Sequence, residues 1–336
     1  MSLLTFPFVE LRLPTAGEGV ENVITYEDKD GYRLVHQSCG PTLGYCPGSG
    51  VAIGLADGLA FKSFDGTDIL LPYADWRLSA AERAADLASR LTIDEIAGLM
   101  LYSPQNKLPM PAGTDTYGGR TFAESGCRPW DLSDGQRKFL IDDNVRHVLV
   151  STVASVEAAA RWNNNVQALC ESRTHGIPAN NSSDPRHSAF HDAEFSPGSS
   201  GQLSLWSNLM GLASTFSPET VARFADIASR EYRALGLATA LSPQADLGTD
   251  PRWYRYNATF GNDPALVTDL IRAYCDGFQS GTPGGEPTGW GECSVNTMVK
   301  HWPGGGSGEG GRDAHYGNGK FAVYPGGCMA DHVRPF

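Results

Sequence analysis

The feature that most constrains this chain is an alternation. Helical patterns are separated by short apolar runs, and each run is followed by a polar cluster rather than a hairpin turn. The runs are His147–Val150, Gly176–Pro178, Leu237–Leu241 and Val295–Val299. Ser79-Ala80-Ala81-Glu82 and Thr92-Ile93-Asp94-Glu95 are both capping-box patterns, so two short helices meet near Leu91, the first with Ala84, Leu87 and Ala88 on one face. Residues Ser155 to Arg173 read as a helix. Ser217-Pro218-Glu219 opens a clearer one, with Val221, Phe224, Ala225, Ala228, Tyr232 and Leu235 on one side and Gly236 as the stop. Asp263-Pro264 opens another, with Leu266, Leu270, Ala273, Tyr274 and Phe278 inward. Strand, polar loop and helix in repetition imply parallel strands joined by right-handed crossovers. That leaves a doubly wound sheet or a (β/α)8 barrel, and both put their chemistry at the carboxyl ends of the strands.

Residues 1–75 read differently, as an irregular, β-leaning extension. Its extended runs, such as Tyr32–His36 and Asp68–Pro72, are separated by turn signals at Asp30-Gly31, Asp57-Gly58 and Asp65-Gly66. A boundary is therefore expected near residue 76. With 41% hydrophobic residues the chain can build a core, and 26 Lys+Arg against 38 Asp+Glu argue against non-specific nucleic-acid binding. No apolar stretch is long enough for a transmembrane helix, so no membrane partner is expected. No secretory signal is visible at the start. Seven scattered cysteines (39, 46, 127, 170, 275, 293 and 328) without a CxxC pair point to a reduced, cytoplasmic setting.

The strand ends carry the candidate chemistry. Asp184 lies beyond Gly176–Pro178, Asp246, Asp250, Arg252 and Arg255 follow Leu237–Leu241, and Lys300-His301 follows Val295–Val299. Trp253 and Trp302 lie among them. Carboxylates and cations exchange paired hydrogen bonds with vicinal hydroxyls, and an aromatic face covers the C–H side of a sugar ring, so the set suits a polyhydroxylated ligand. A Lys directly after an apolar strand is costly unless paired. Other readings are weaker. Gly306-Ser307-Gly308-Glu309-Gly310-Gly311 spells a dinucleotide fingerprint, but no helical period follows it. Asp184, His187, His191 and Asp192 crowd into one loop without a distant ligand, so no metal is expected. Trp162 and Trp206 fall on helical patterns and read as core, and His147 and His175 as caps or surface groups.

These residues resemble, in order, the amino-terminal barrel domain of glycoside hydrolase family 3. Leu91–Met100 resembles its opening helix, and Gly176-Ile177-Pro178 with Ser182-Ser183-Asp184 its sugar-binding loop. Ser242–Asp246, Asp250–Arg255 and Thr259–Pro264 resemble its most diagnostic stretch, and Lys300-His301-Trp302-Pro303-Gly304 its Lys-His-aromatic-Pro-Gly loop. The resemblance covers about residues 80 to 327. It implies an α/β fold with a (β/α)8 TIM-barrel-like domain over 76–336, incomplete at about five strands. It further implies an exo-acting, retaining β-glycosidase of β-glucosidase or β-xylosidase type, acting on an oligosaccharide or β-glycoside without a cofactor. Asp184 would hold two hydroxyls of the terminal sugar, and Arg255, Lys300 and His301 the others. Tyr254 stands where the commonest pattern has Gly, Ala258 and Asn262 where acids are usual, and Gly305 where many members have His. The family's Ser/Thr-Asp-Trp nucleophile motif does not occur, and Ala330–Phe336 shows no helix or stop signal. The nucleophile and acid/base are therefore expected in a C-terminal part of the polypeptide beyond Phe336, and the fragment alone is expected to be inactive. The alternative is a non-catalytic carbohydrate-binding remnant.

Overall fold

A computed structural model describes residues 22–67, 69–184, 187, 202–280, 289–291, 293–302 and 304–336. Its contacts divide the chain into two units, Met1–Gly98 with Val166–Pro178, and Leu99–Asn165 with Ala179–Phe336.

In the first unit, β1 (Ile24–Asp28), β2 (Arg33–Gln37) and β3 (Leu43–Tyr45) form an antiparallel sheet in the order β1-β2-β3. A separate hairpin joins β4 (Ala52–Ala56) to β5 (Leu59–Ser63) across Asp57-Gly58, with φ of 53° and 74° at the two turn residues. Positive φ at both positions matches the turn to the right-handed strand twist. Gln37 ties β2 to β5 by accepting from the Ala60 amide at 3.0 Å and donating to the Ala60 carbonyl at 3.3 Å. Helix α1 (Ala80–Arg90) starts at the expected capping box, Ser79 Oγ accepting from the Glu82 amide and Glu82 accepting from the Ser79 amide, and α2 (Ile93–Leu99) follows. None of the α1 side chains is fully buried. No strand covers residues 69–71, and Asp68 lies outside the described residues.

The second unit carries the predicted alternation. Its strands are β6 (Tyr102–Leu108), β7 (His147–Val153), β8 (Asn180–Ser183), β9 (Thr239–Ala240) and β10 (Asn296–Thr297). All neighbours pair in parallel, in the order β10-β9-β8-β7-β6. The connecting helices are α3 (Phe122–Ser125) and α4 (Asp134–Ile141) before β7, and α5 (Val156–Glu171), which from Val166 on is counted with the first unit, before β8. Next come α6 (Leu209–Ala213) and α7 (Pro218–Leu235) before β9, and α8 (Pro264–Gln279) before β10. Among the described residues this is a barrel-like α/β sheet of five parallel strands without closure, β6 and β10 being its end strands. Helix α7 buries Val221, Phe224, Ala225, Ala228, Tyr232 and Leu235, and α8 buries Val267, Leu270, Ile271, Tyr274 and Phe278. These two crossovers cover one end of the sheet with apolar side chains.

Several expectations need correction. The apolar run Gly176–Pro178 is not a strand: Gly176 closes a 3-10 turn, and β8 begins at Asn180. Asn180–Ser183 is polar because its side chains bond to the neighbouring strand, Ser182 and Ser183 hydroxyls donating to the Val148 and Val150 carbonyls at 2.9 and 2.6 Å. Strand β6 carries Pro104, which fits an end strand, and its register with β7 shifts near that proline. Trp162 is fully buried, but Trp206 lies outside any helix, half-buried against Phe224. Residues Met329–Val333 form a short helix, α9, where no helix signal is visible in the sequence.

Candidate functional site

Because the strands are parallel, the segments after β8, β9 and β10 leave the sheet on one side. Asp184 follows β8 directly. Beyond β9 and β10 the pairing continues for one more step, Gln244 opposite Lys300, with the Ala245 amide donating to the Lys300 carbonyl at 2.7 Å. That extension fixes where Lys300 and His301 stand. The Lys300 ammonium forms a salt bridge with Asp184, joining segments 116 residues apart. The side chains are 21% and 18% exposed, so the pair is shielded yet reachable.

His301 is held from behind by Asp246, whose side chain is fully buried. The carboxylate accepts from the His301 amide at 3.0 Å, from ring Nδ1 at 2.8 Å, and from the Gly305 amide. With Nδ1 donating to a carboxylate, Nε2 is the acceptor, and Arg255 Nη1 lies 3.3 Å from it. The imidazole thus stands between a carboxylate at Nδ1 and a guanidinium at Nε2.

Arg255 is fixed on every side. Its Nε and Nη2 donate to Asp313 at 2.8 Å, and Nη1 donates to the Gln244 side chain at 3.0 Å. Its guanidinium also lies 5.1 Å from the Trp253 ring and 5.9 Å from the Tyr254 ring. Among the described residues, four of its five N–H groups are engaged. Among the same residues, one N–H on Nη2 has no partner.

Asp313 is the hub of this second cluster, with its side chain 1% exposed. It accepts from Trp253 Nε1 at 2.6 Å, from the His315 amide at 2.9 Å and from His315 Nδ1 at 2.6 Å, besides the two Arg255 bonds. Burial alone would raise its pKa. The donors from His315, Trp253 and Arg255 outweigh burial and hold the carboxyl well below the usual carboxylate range. His315 is 61% exposed, its ring 6.2 Å from and nearly perpendicular to that of His301. With Nδ1 on Asp313, its Nε2 is the atom able to give or take a proton.

The glycine-rich segment that spells a nucleotide fingerprint has another purpose. No helix follows it; it forms two 3-10 turns, Gly305–Ser307 and Glu309–Gly311. A Cβ at Gly306 would stand 2.0 Å from the Leu247 carbonyl oxygen, and one at Gly319 would stand 1.9 Å from that of Asp313. The glycines let residues 304–319 lie directly on the segment after β9, which brings Asp313 to Arg255.

Asp184, Arg255, Lys300 and His301 therefore converge at neighbouring strand ends. Asp250 and Arg252 do not join them: they pair with each other, and Arg252 holds the Asp250 carboxyl at about 2. Trp253, expected as a sugar-stacking face, is 1% exposed, so its ring is core and only its N–H serves the site. Trp302 is 67% exposed and packs edge-on against Phe336. Gln244, Asp313 and His315 are members that sequence reasoning missed; the signal was an Asp-x-His pair inside the glycine-rich loop. Among the described residues no group of side chains forms a metal site, and His191 and Asp192 lie outside them. His187 instead faces Glu231 of α7 at 2.8 Å.

The fold and this cluster together define a barrel-type α/β chain whose strand ends carry paired carboxylates, cations and imidazoles suited to a polyhydroxylated ligand. The chain belongs to glycosyl hydrolase family 3, whose N-terminal domain profile matches residues 128–325. It is 40% identical over 282 residues to the periplasmic beta-glucosidase/beta-xylosidase of Dickeya chrysanthemi, covering 83% of this chain and 40% of that protein. It is 35% identical over 283 residues to beta-glucosidase C of Emericella nidulans, covering 83% and 42%. The chain thus spans about two-fifths of the length of these curated relatives. Among solved structures, a family 3 beta-N-acetylglucosaminidase from Paenibacillus shares the fold at a TM-score of 0.55 and 20% identity, over 73% of this chain and 39% of that one. A beta-glucosidase from Erythrobacter marinus matches at 0.52 and 26%, over 72% and 28%.

Proposed function

We propose that this chain is the terminal-sugar-binding part of an exo-acting, retaining β-glycosidase that removes glucose or xylose from the non-reducing end of a β-glycoside. The observation that carries the reading is the meeting of Asp184 with Lys300, and of Arg255 with His301, at adjacent strand ends. A sugar entering there exchanges hydrogen bonds with an ion pair that is already formed and partly desolvated. Asp184 accepts from two vicinal hydroxyls while Lys300 donates to one of them, and the remaining Nη2 N–H of Arg255 reaches a third. His301 acts chiefly by keeping Arg255 in place.

Retaining hydrolysis needs two groups about 5 Å apart around an oxocarbenium-like transition state. The nucleophilic Asp is assigned to a further part of the same polypeptide, since no Asp of this chain stands in the family's Ser/Thr-Asp-Trp setting. For the acid/base, the Asp313–His315 pair favours a group within the chain over one beyond Phe336. A buried carboxylate fixes the tautomer and leaves an exposed Nε2. The test is hydrolysis of nitrophenyl β-glucoside and β-xyloside by the complete polypeptide. Turnover of at least one is expected, with kcat/KM falling about 100-fold in Asp184→Asn, as the loss of charged hydrogen bonds worth about 3 kcal/mol requires. No turnover of either substrate, or an Asp184→Asn variant as active as its parent, overturns the proposal.

A further inference from the structure

Two exposed aromatic rings lie beside the cluster, and neither is assigned a contact with the terminal sugar. Tyr254 precedes Arg255 and Tyr316 follows His315, and each is 59% exposed. They come from segments more than sixty residues apart, yet their ring centroids are 6.2 Å apart at an interplanar angle of 55°. Tyr254 is also 5.9 Å from the Arg255 guanidinium, so the pair begins where the proposed sugar grip ends. The buried side of Arg255 is occupied by Trp253, whose ring is closed to any ligand. An aromatic face for a ligand must therefore come from the exposed side.

We infer that Tyr254 and Tyr316 form a stacking platform for the group attached to the terminal sugar, and that the platform favours a ring-bearing aglycone, aryl or pyranose, over an alkyl one. The inference rests on the proposed function, because it takes the sugar to occupy the Asp184–Lys300–Arg255 cluster. In an exo-acting arrangement the leaving group points out of the pocket, and His315, which carries the exposed Nε2, lies beside Tyr316 in the chain. A departing oxygen placed at that Nε2 puts the next ring against Tyr316 and Tyr254. Aromatic faces reward a flat or C–H-rich ring and give little to a methyl group. Two rigid rings with only two rotatable bonds each lose little entropy on binding.

The test is calorimetric titration of the 336-residue chain with hydrolysis-resistant phenyl and methyl 1-thio-β-D-glucosides. The phenyl compound is expected to bind about fivefold more tightly. That ratio is expected to fall toward one in Tyr254→Ala and in Tyr316→Ala, and to return in Tyr254→Phe, which restores the ring without the hydroxyl. A ratio unchanged in both alanine variants overturns the platform while leaving the sugar grip intact. Absence of binding for both compounds in the unsubstituted chain overturns the grip itself, and the platform with it.

Discussion

Replacing Asp313 by Asn is the most informative single perturbation of the cluster. The carboxylate is 1% exposed and accepts from Trp253, Arg255 and His315, while the Arg255 side chain is 17% exposed. Removing one partner of a buried pair costs about 3–5 kcal/mol. Arg255 keeps Gln244 and some contact with water, and Asn keeps one carbonyl oxygen, so the lower figure of about 3 kcal/mol applies. At about 2–4 °C per kcal/mol, the unit melts roughly 6–12 °C lower, readable by scanning calorimetry. The loss depends on pH with a definite sign. The folded-state carboxyl is depressed, so its contribution is fully present above the unfolded value of about 3.9 and is lost as pH falls toward the folded one. Chain and variant are expected to differ fully at neutral pH and to converge below about pH 4. A variant within about 0.5 kcal/mol of the chain at pH 7, or a gap that does not narrow on acidification, refutes the idea that this carboxylate organises the site.

Gly306→Ala forces a Cβ against the Leu247 carbonyl, so the 304–319 loop must lift. A stability loss of about 1–3 kcal/mol is expected by denaturant titration, together with weaker monosaccharide binding by calorimetry. In the first unit, Ser79→Ala removes one half of the capping box of α1. It is expected to cost about 1 kcal/mol, seen as a lower denaturation midpoint, and to leave sugar affinity alone.

The parts legible in the sequence were those governed by local rules. The helix Pro218–Leu235 starts and stops where its Ser217 cap, its Pro and its Gly236 require, and the capping box at Ser79 forms as written. Asp184, Arg255, Lys300 and His301 could be picked out because a parallel sheet delivers every strand end to one side. What stayed hidden depends on contacts across the chain. Strand β8 is polar since Ser182 and Ser183 spend their hydroxyls on the adjacent strand, so no apolar run marks it. The burial of Trp253 follows from the loop that folds over it, and nothing local tells a stacking indole from a core one. The place of Asp313 depends on glycines such as Gly306, whose lack of a side chain matters against a segment about sixty residues earlier.

A crystal of the chain soaked with glucose puts the central claim to the most direct test. The account predicts one pyranose with two hydroxyls on the Asp184 carboxylate, a shared contact to Lys300, and a third hydroxyl on Arg255 Nη2. A sugar bound elsewhere, with the Lys300–Asp184 pair undisturbed, contradicts it.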